Sequence, residues 1–241
     1  MTTLAQPLAM PPLPHRLWWA SLAVLAATLT WDASGLDRAV MHWWADAQGF
    51  PLRHHWLLER VLHDAVRQLA TLAFLALVAL VVWPVGPLRQ LGRWQRAEVA
   101  TGTGLALVAV NAIKRHSLTS CPWDLQDFGG VARYVSHWSW GLTDGGAGHC
   151  FPGGHASAAM AFLALALPWL TSTDPGQRRQ GQRILVGVLI VGLLLGMTQT
   201  LRGAHYPSHT WWTAVICWAV ALANHAAFSW LRGRWPTRPA A

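Results

Sequence analysis

Long apolar runs dominate this chain of 241 residues and limit what it can fold into. A helix that crosses a bilayer needs about 20 mostly apolar residues, because no backbone polar group can be left unpaired in hydrocarbon. The sequence therefore predicts an all-α fold, a bundle of six transmembrane helices. The six runs are Leu17 to Trp31, Leu69 to Val85, Val99 to Ile113, Gly154 to Thr171, Ile184 to Leu201 and Thr210 to Leu231.

The composition argues against a soluble enzyme. Hydrophobic residues make up 53% of the chain and charged residues 12%, and this charged share is about half that of an ordinary soluble domain. No repeat, coiled-coil heptad or low-complexity tract interrupts the sequence. We therefore expect a single membrane domain over residues 1–241, with its core at about residues 69–231.

The formal net charge of +8 raises the question of an anionic partner. Nucleic acid is excluded as the expected partner, because its binding needs basic residues gathered on one polar face. Here the basic residues stand in small groups between apolar runs. Membrane lipids with anionic headgroups, or a phosphorylated lipid substrate, are the expected counter-charges. The sequence leaves the oligomeric state open.

Arginine placement predicts the orientation in the membrane, since basic residues concentrate on the cytoplasmic side. Short basic connections and the two ends of the chain all fall on one side of a six-helix topology, which places both termini in the cytoplasm. The ten arginines on that side are Arg16, Arg89, Arg93, Arg96, Arg178, Arg179, Arg183, Arg232, Arg234 and Arg238.

The first segment predicted on the outer side, Asp32 to Gln68, is amphipathic. We expect a helix lying on the membrane surface from Leu36 to His63, interrupted near Gly49 and Pro51. Its histidines, His63 among them, are assigned to the interface with the headgroups. This segment is a candidate lid or substrate guide.

Polar residues with catalytic potential concentrate in three clusters, all on the predicted outer side. A cluster of cations and imidazoles at a membrane surface is typical of an anion site. The clusters are Lys114, Arg115 and His116 with Cys121 to Asp124; His149 to His155; and Arg202 to His209.

The second cluster has the features of an anion-binding helix start. Pro152 can begin a helix, and Gly153 and Gly154 allow a ligand to approach the backbone closely. The free N–H groups of a first turn point at an anion, and His155 would stand beside it as a proton donor. A glycine-rich loop that merely caps a membrane helix would have the same residues, so both interpretations stay open.

The third cluster resembles a known motif. The run from His205 to Ser208, between two apolar helices, is similar to the third signature of the type 2 phosphatidic acid phosphatase (PAP2) superfamily. The first signature, a lysine followed after six residues by Arg-Pro, is matched by Lys114 and Pro122. Cys121 stands where the family has the arginine.

The second PAP2 signature, Pro-Ser-Gly-His, is matched by Pro152, Gly154 and His155, with Gly153 in place of the serine. The resemblance runs from about the third predicted helix to the sixth and includes the order of the motifs. The residues immediately around the motifs are also similar to those of a divergent bacterial branch of membrane PAP2-like proteins.

The resemblance implies roles for these residues. His205 would be the nucleophile, forming a phosphohistidine, and His155 the acid that protonates the leaving oxygen. Lys114 would hold the phosphate, with Arg115 and His116 as secondary candidates. No metal and no cofactor is implied, because phosphoryl transfer depends mainly on positioning and charge stabilisation.

The implied activity is hydrolysis of a lipid phosphate or diphosphate at the outer, periplasmic face of a bacterial inner membrane. The phosphate would meet Lys114, Arg202 and the backbone of Gly153 and Gly154. A lipid phosphotransferase of the same superfamily and a non-catalytic lipid-phosphate-binding membrane protein are the alternatives.

Two further departures from the family pattern concern the third signature. Gln199 stands where the family has an arginine, and Arg202, three residues later, is the candidate replacement on the same helical face. His209 stands where the family has an aspartate that orients the catalytic imidazole. Either His209 itself or Asp124 is expected to orient His205.

The two cysteines of the outer clusters allow two interpretations. Cys121 and Cys150 both fall on the predicted oxidising side, and we expect a disulfide between them. Such a bond would stabilise the fold by about 3.5 kcal/mol in the chain-entropy model. Two separate buried thiols remain the alternative.

A zinc site is a rival use of the same residues. His205 and His209 have the i, i+4 spacing of paired zinc ligands, and Cys121 and Cys150 offer sulfur. However, Pro207 between the histidines indicates that a helix starts only there, so His205 would precede it.

Overall fold

The computed structural model describes residues 13–46 and 48–234, and their secondary structure is helical. The all-α prediction is therefore confirmed for this part of the chain. α3 begins as a π-helix and α5 contains a 3-10 segment. The seven helices are α1 (His15–Ala33), α2 (Leu36–His42), α3 (Leu57–Ala79), α4 (Arg93–His116), α5 (Ser157–Leu170), α6 (Pro175–Leu201) and α7 (Pro207–Arg234).

Three of these helices, α3, α6 and α7, are long and apolar enough to cross a membrane by length and composition. The chain is therefore a multi-pass membrane protein. The predicted cytoplasmic position of both termini is not tested, because residues 1–12 and Arg238 lie outside the described residues.

The other three predicted spans form helices that do not meet the same criteria of length and composition. Two of them lie within α1 and α4. The run from Gly154 to Thr171 becomes α5, whose 14 residues cover less than the hydrocarbon thickness of about 30 Å at about 1.5 Å per residue. The helix is shorter than the predicted span mainly at its start, because Gly154 and His155 form a turn.

The prediction for the first outer segment is right about a helix from Leu36 and about a break near Gly49 and Pro51, but it is wrong about the second half. The first helix ends at His42, and the second half of the segment, from Leu57, is the first part of α3. The second span accordingly runs from Leu57 to Ala79 instead of Leu69 to Val85. Hydropathy misplaced this helix because the polar residues of its first two turns face an internal cavity, described below.

α4, α5, α6 and α7 pack around one core of small and aliphatic side chains. Its buried members include Ala106, Val110, Met160, Leu163 and Cys217. α1 lies against α7, where the Trp218 indole donates to the Ser21 hydroxyl at 2.7 Å.

A buried polar pair also joins α4 to α7. Glu98 Oε1 lies 2.6 Å from His225 Nδ1, and the Asn224 amide donates to the Glu98 carbonyl at 2.9 Å. Such groups are costly in an apolar surrounding unless they are paired. The pair therefore sets the register between the two helices.

Glycines let α6 approach its neighbours closely, as is common between membrane helices. A Cβ on Gly181 would lie 2.7 Å from the backbone nitrogen of Leu170, and backbone cannot move aside as a flexible side chain can. Gly187, on the same helix, has no atom within 4 Å of the equivalent position. These two glycines form a matched pair for a packing test.

We expect Gly181→Ala to lower the thermal unfolding midpoint in detergent, because the added methyl forces α5 and α6 apart at a cost of about 1–3 kcal/mol. Gly187→Ala has room for its methyl and should gain up to about 1 kcal/mol from helix propensity. Differential scanning fluorimetry of both variants compares them. Equal midpoints would contradict the close approach of α5 and α6.

Candidate active site

The turn between α6 and α7 carries His205 and fixes its backbone. Gly203 has a φ of +77°, which residues with a Cβ rarely adopt, and a Cβ there would also collide with the Phe50 ring. The N–H groups of Ala204 and His205 both donate to the Gln199 carbonyl, at 2.8 and 3.4 Å. The side chain of His205 is buried.

The ring of His205 has one nitrogen in contact with its neighbours. Nδ1 lies 3.3 Å from His209 Nδ1 and 3.4 Å from Cys150 Sγ. Because these contacts occupy Nδ1, Nε2 is the nitrogen available to a ligand. Burial, with the Lys114 cation nearby, holds the pKa of His205 well below its ordinary value. The imidazole is therefore neutral at physiological pH, which is the form that can attack phosphorus.

A cavity of about 610 Å³ brings the three sequence clusters together. At its polar end the lining includes Lys114, Gly154, His155, Arg202 and His205. These residues come from the end of α4, from the loop before α5 and from the turn between α6 and α7. The remaining wall includes apolar side chains of α3, α4 and α5, among them Phe74, Leu107 and Phe162.

Lys114 lies one residue beyond the apolar run of α4. Burial lowers the pKa of its ammonium group to about 8. A Cβ on Gly154 would lie 3.3 Å from Lys114 Cδ, so the glycine leaves room for the lysine chain.

The structure does not bring Arg115 or His116 into this cavity, although both were predicted to assist Lys114. Successive residues on a helix do not face the same way. Arg115 is exposed, and His116 borders a different cavity of about 570 Å³ on the other side of α4. His116 Nδ1 lies 2.8 Å from the Ala112 carbonyl.

His155 is held against α3. Its Nε2–H donates to the Leu62 carbonyl at 2.5 Å, and its ring lies 4.7 Å from the ring of His63. Burial and the neighbouring His63 lower the pKa of His155 to about 4. Without a bound anion, this imidazole is therefore neutral.

The predicted anion-binding helix start takes a different form. The helix begins at Ser157, and Gly153 donates its N–H to the His209 carbonyl at 3.2 Å. Gly153 is thereby engaged inside the protein and does not line the cavity, whereas Gly154 does. The glycine at 153 is required by close packing, since a Cβ would lie 3.2 Å from the same carbonyl.

Arg202 lies beside Gln199, the residue that stands where the third signature has an arginine. Its guanidinium donates to Gln199 Oε1 at 3.3 Å and to the Arg53 carbonyl at 2.9 Å. It also forms an ion pair of 3.1 Å with Glu59. The cation at the cavity wall is thus balanced by one carboxylate.

Asp124 is directed away from His205. Its Oδ2 accepts from the Trp123 indole at 3.0 Å, and its carbonyl accepts from Ala132. The 3-10 turn Pro122–Asp124 holds it outside the residues that line the cavity. Of the two predicted orienting partners, His209 is the one that contacts the ring of His205.

Cys121 and Cys150 are joined in a disulfide with their Cα atoms 5.1 Å apart. It connects the loop after α4 to the loop before α5, directly beside His205. Ligand atoms of both cysteines and of His205 lie within 4.8 Å of one another. Because the two sulfurs are bonded to each other, they offer no thiolates, and this donor set does not fit zinc.

Sequence reasoning missed one wall of the cavity. The π-helical start of α3 contributes Glu59, His63 and Asp64, and the α-helical part that follows contributes Arg67. The spacing of Glu59, His63 and Arg67 is i, i+4, i+8, which places them on one helical face. That periodicity was the available signal, and it was interpreted instead as an interfacial surface.

Comparison with known protein families shows the family to which the chain belongs. A sequence profile of the PAP2 superfamily matches residues 97–233, which is more than half of the chain, and the protein belongs to this superfamily. Neither a curated protein nor a solved structure matches the chain. The matched region holds all three signatures, with their departures at Cys121, Gly153, Gln199 and His209.

The disulfide predicts the thiol count of the protein. Of three cysteines, only Cys217 is free, and it is buried. We expect alkylation in denaturant to add one group per chain without reductant and three groups after reduction. Intact mass spectrometry measures both numbers, and three groups without reductant would contradict the bond.

Proposed function

We propose that the protein is a metal-independent phosphatase that hydrolyses a lipid phosphate or diphosphate through a phosphohistidine. The observation that carries the proposal is the meeting of Lys114, His155, Arg202 and His205 around one cavity. These are two cations, a neutral buried imidazole able to attack and a second imidazole able to transfer a proton. Membership in the PAP2 superfamily supports phosphatase-type chemistry on phosphate esters.

Binding begins with an exchange of anions at Arg202. The guanidinium pairs with Glu59 in the free protein. A phosphate group that enters the cavity competes for the same cation, and Lys114 adds a second positive charge. Charge-assisted hydrogen bonds of this kind are short and strong and hold the phosphoryl group in place.

The chemical step forms a bond between His205 Nε2 and phosphorus and breaks the bond between phosphorus and the leaving oxygen. His155 gives a proton to that oxygen. The neutral ring of the free enzyme gains this proton when a bound phosphate places negative charge beside it, which raises the pKa of the imidazole. Water then attacks phosphorus with His155 as base, releasing phosphate and restoring His205.

A lipid substrate is supported by the composition of the cavity. The polar residues lie at one end, and Phe74, Leu107 and Phe162 belong to helices of the membrane region. A headgroup phosphate at the polar end would leave the acyl or prenyl chain beside these apolar side chains. The proposed location is the outer, periplasmic face of a bacterial inner membrane.

We expect the purified protein in detergent to release phosphate from at least one of four lipids: undecaprenyl diphosphate, phosphatidylglycerophosphate, phosphatidic acid and a lipid A phosphate. Release should survive a chelator. His205→Ala should lower turnover about 10³-fold or more, because it removes the nucleophile. His15→Ala is the matched control, since it removes an exposed imidazole at the start of α1.

Three other outcomes would contradict the proposal. Transfer of labelled phosphate to a lipid hydroxyl, without release to water, indicates a phosphotransferase. Tight lipid-phosphate binding without turnover indicates a binding protein. Activity that is lost with the chelator and restored by a divalent metal contradicts the metal-independent mechanism.

The pKa of about 8 for Lys114 predicts a pH dependence. The ammonium is present below that pKa and is lost as the pH rises through it, so kcat/KM should fall on the alkaline side of about pH 8. An arginine stays charged throughout this range. In Lys114→Arg, the alkaline limb should therefore shift to higher pH.

At neutral pH, kcat/KM of Lys114→Arg should be lower than that of the wild type, because a guanidinium fork fits the space beside Gly154 less well than a compact ammonium. Rates over a series of buffers at constant ionic strength provide the profile. An identical alkaline limb in both proteins would show that Lys114 does not carry the phosphate-binding charge.

A further inference from the structure

The catalytic histidine of the proposed mechanism contacts no carboxylate among the residues that the structure describes. Its ring nitrogen Nδ1 meets another imidazole, His209, at 3.3 Å. A neutral imidazole such as His209 can accept a hydrogen bond from His205, but without a charge it does not favour one tautomer of His205 over the other. Catalysis requires one of them, in which His205 carries its proton on Nδ1 and leaves Nε2 free to attack.

That requirement fixes the neighbouring ring as well. If His205 donates from Nδ1, His209 must accept at its own Nδ1 and carry its proton on Nε2. If His209 were protonated on Nδ1 instead, it would donate to His205 and move the proton of that ring to Nε2. The nucleophilic nitrogen would then be blocked. Any interaction that favours the Nε2–H form of His209 therefore keeps Nε2 of His205 free to attack phosphorus.

A carboxylate stands behind His209. Asp32, near the end of α1, is half-buried with its side chain 8% exposed, and its Oδ2 lies 3.1 Å from Nε2 of His137. The same oxygen accepts from the indoles of Trp138 at 2.6 Å and Trp212 at 3.2 Å. These donors hold the carboxylate in one orientation inside the protein.

His137 lies between this carboxylate and His209, although its Nε2 makes no hydrogen bond to any described residue, so the influence of Asp32 on His209 is electrostatic. The two imidazole rings meet edge to face, with centroids 5.8 Å apart and planes at 85°. Phe151 fixes both rings, since it stacks on His137 at 4.1 Å and presents its edge to His209 at 5.3 Å. The orientation of His209 therefore depends on residues from α1 and from the outer loop.

Between these groups lies a small polar cavity of about 10 Å³, lined in part by Asp32, His137, Tyr206 and His209. It can hold about one water molecule. The Tyr206 hydroxyl is buried and makes no hydrogen bond to any other described residue. Asp37 and Asp144 also line this cavity, so His209 lies in a polar surrounding that contains three carboxyl groups, of which Asp32 is the one beside His137.

We propose that Asp32 is the carboxylate that positions the nucleophile of this enzyme, acting on His205 through His137 and His209. The proposal rests on the proposed phosphatase function. The negative charge of Asp32 favours the Nε2–H tautomer of His209, which accepts the Nδ1 proton of His205 and leaves its Nε2 free. After attack on phosphorus, the same charge stabilises the positive charge that spreads from His205 to His209.

The first test is Asp32→Asn, which retains an oxygen for the two indoles but removes the charge. We expect kcat to fall about 10- to 100-fold, less than the loss of about 10⁴-fold seen when a directly bonded carboxylate is neutralised. KM should change little, because Lys114 and Arg202 are untouched. Asp127→Asn is the matched control, because it removes a carboxylate that pairs with the half-exposed Arg38 at the outer surface.

A second variant separates positioning from a purely structural role. His209→Asp places a carboxylate directly beside His205, and Asp32 should then be dispensable. We expect Asp32→Asn to lower kcat in the wild-type background but not in the His209→Asp background. An equal loss in both backgrounds, together with a lowered unfolding midpoint, would overturn the proposal.

The third measurement needs no turnover. Nitrogen-15 spectra of labelled histidines, assigned with His205→Gln and His209→Gln, report the tautomer of each ring in the detergent-solubilised protein. Asp32→Asn should move His205 toward the Nε2–H form, and an unchanged tautomer would overturn the proposal. If the wild type releases no phosphate from any lipid, the proposed function fails, and this spectrum still decides the role of Asp32.

Discussion

A helix in a bilayer must satisfy its backbone hydrogen bonds within itself, and this requirement decides where chemistry can be placed in the protein. Irregular backbone that can surround a phosphate is available only where helices end. Here the end of α4, the loop before α5 and the turn between α6 and α7 supply Lys114, His155 and His205 to one cavity. The disulfide between Cys121 and Cys150 ties two of these helix ends together. The close packing of α4 to α7 underneath keeps all three at fixed separations.

The second constraint is that the site must hold charged groups in positions that are partly removed from water. Burial keeps His205 neutral and lowers the pKa of Lys114 toward the physiological range. Arg202 is balanced by Glu59 from α3. An unpaired buried charge would destabilise the fold. The ion pair with Glu59 and the lowered pKa of Lys114 reduce that destabilisation while the cavity holds no anion. In the proposed function, exchange of the Glu59 carboxylate for a phosphate group would link binding to the first turns of α3.

Sequence patterns predicted the parts of the site that depend on local motifs. Lys114, Gly154, His155 and His205 were identified from the PAP2 signatures, and all four line the cavity. Arg202 was inferred from helical spacing and occupies the expected place beside Gln199. Motif matching failed where local geometry turns a side chain away from the cavity: His116 contacts the Ala112 carbonyl on its own helix, and Asp124 accepts from the adjacent Trp123 indole. They also placed Gly153 in the phosphate site, although its N–H is used by the His209 carbonyl.

The sequence by itself determined that the chain is helical, that it enters the membrane and that His155 and His205 stand at helix ends. These properties follow from hydropathy and short motifs, which are local. Only the tertiary structure decided that α3 begins at Leu57 and closes the cavity with Glu59 and His63. It also brought Asp32 of α1 to His137 and His209, although more than 100 residues separate them in the chain. Packing between remote elements leaves no periodicity in either segment, and for that reason the motifs identify His205 but give no sign of Asp32.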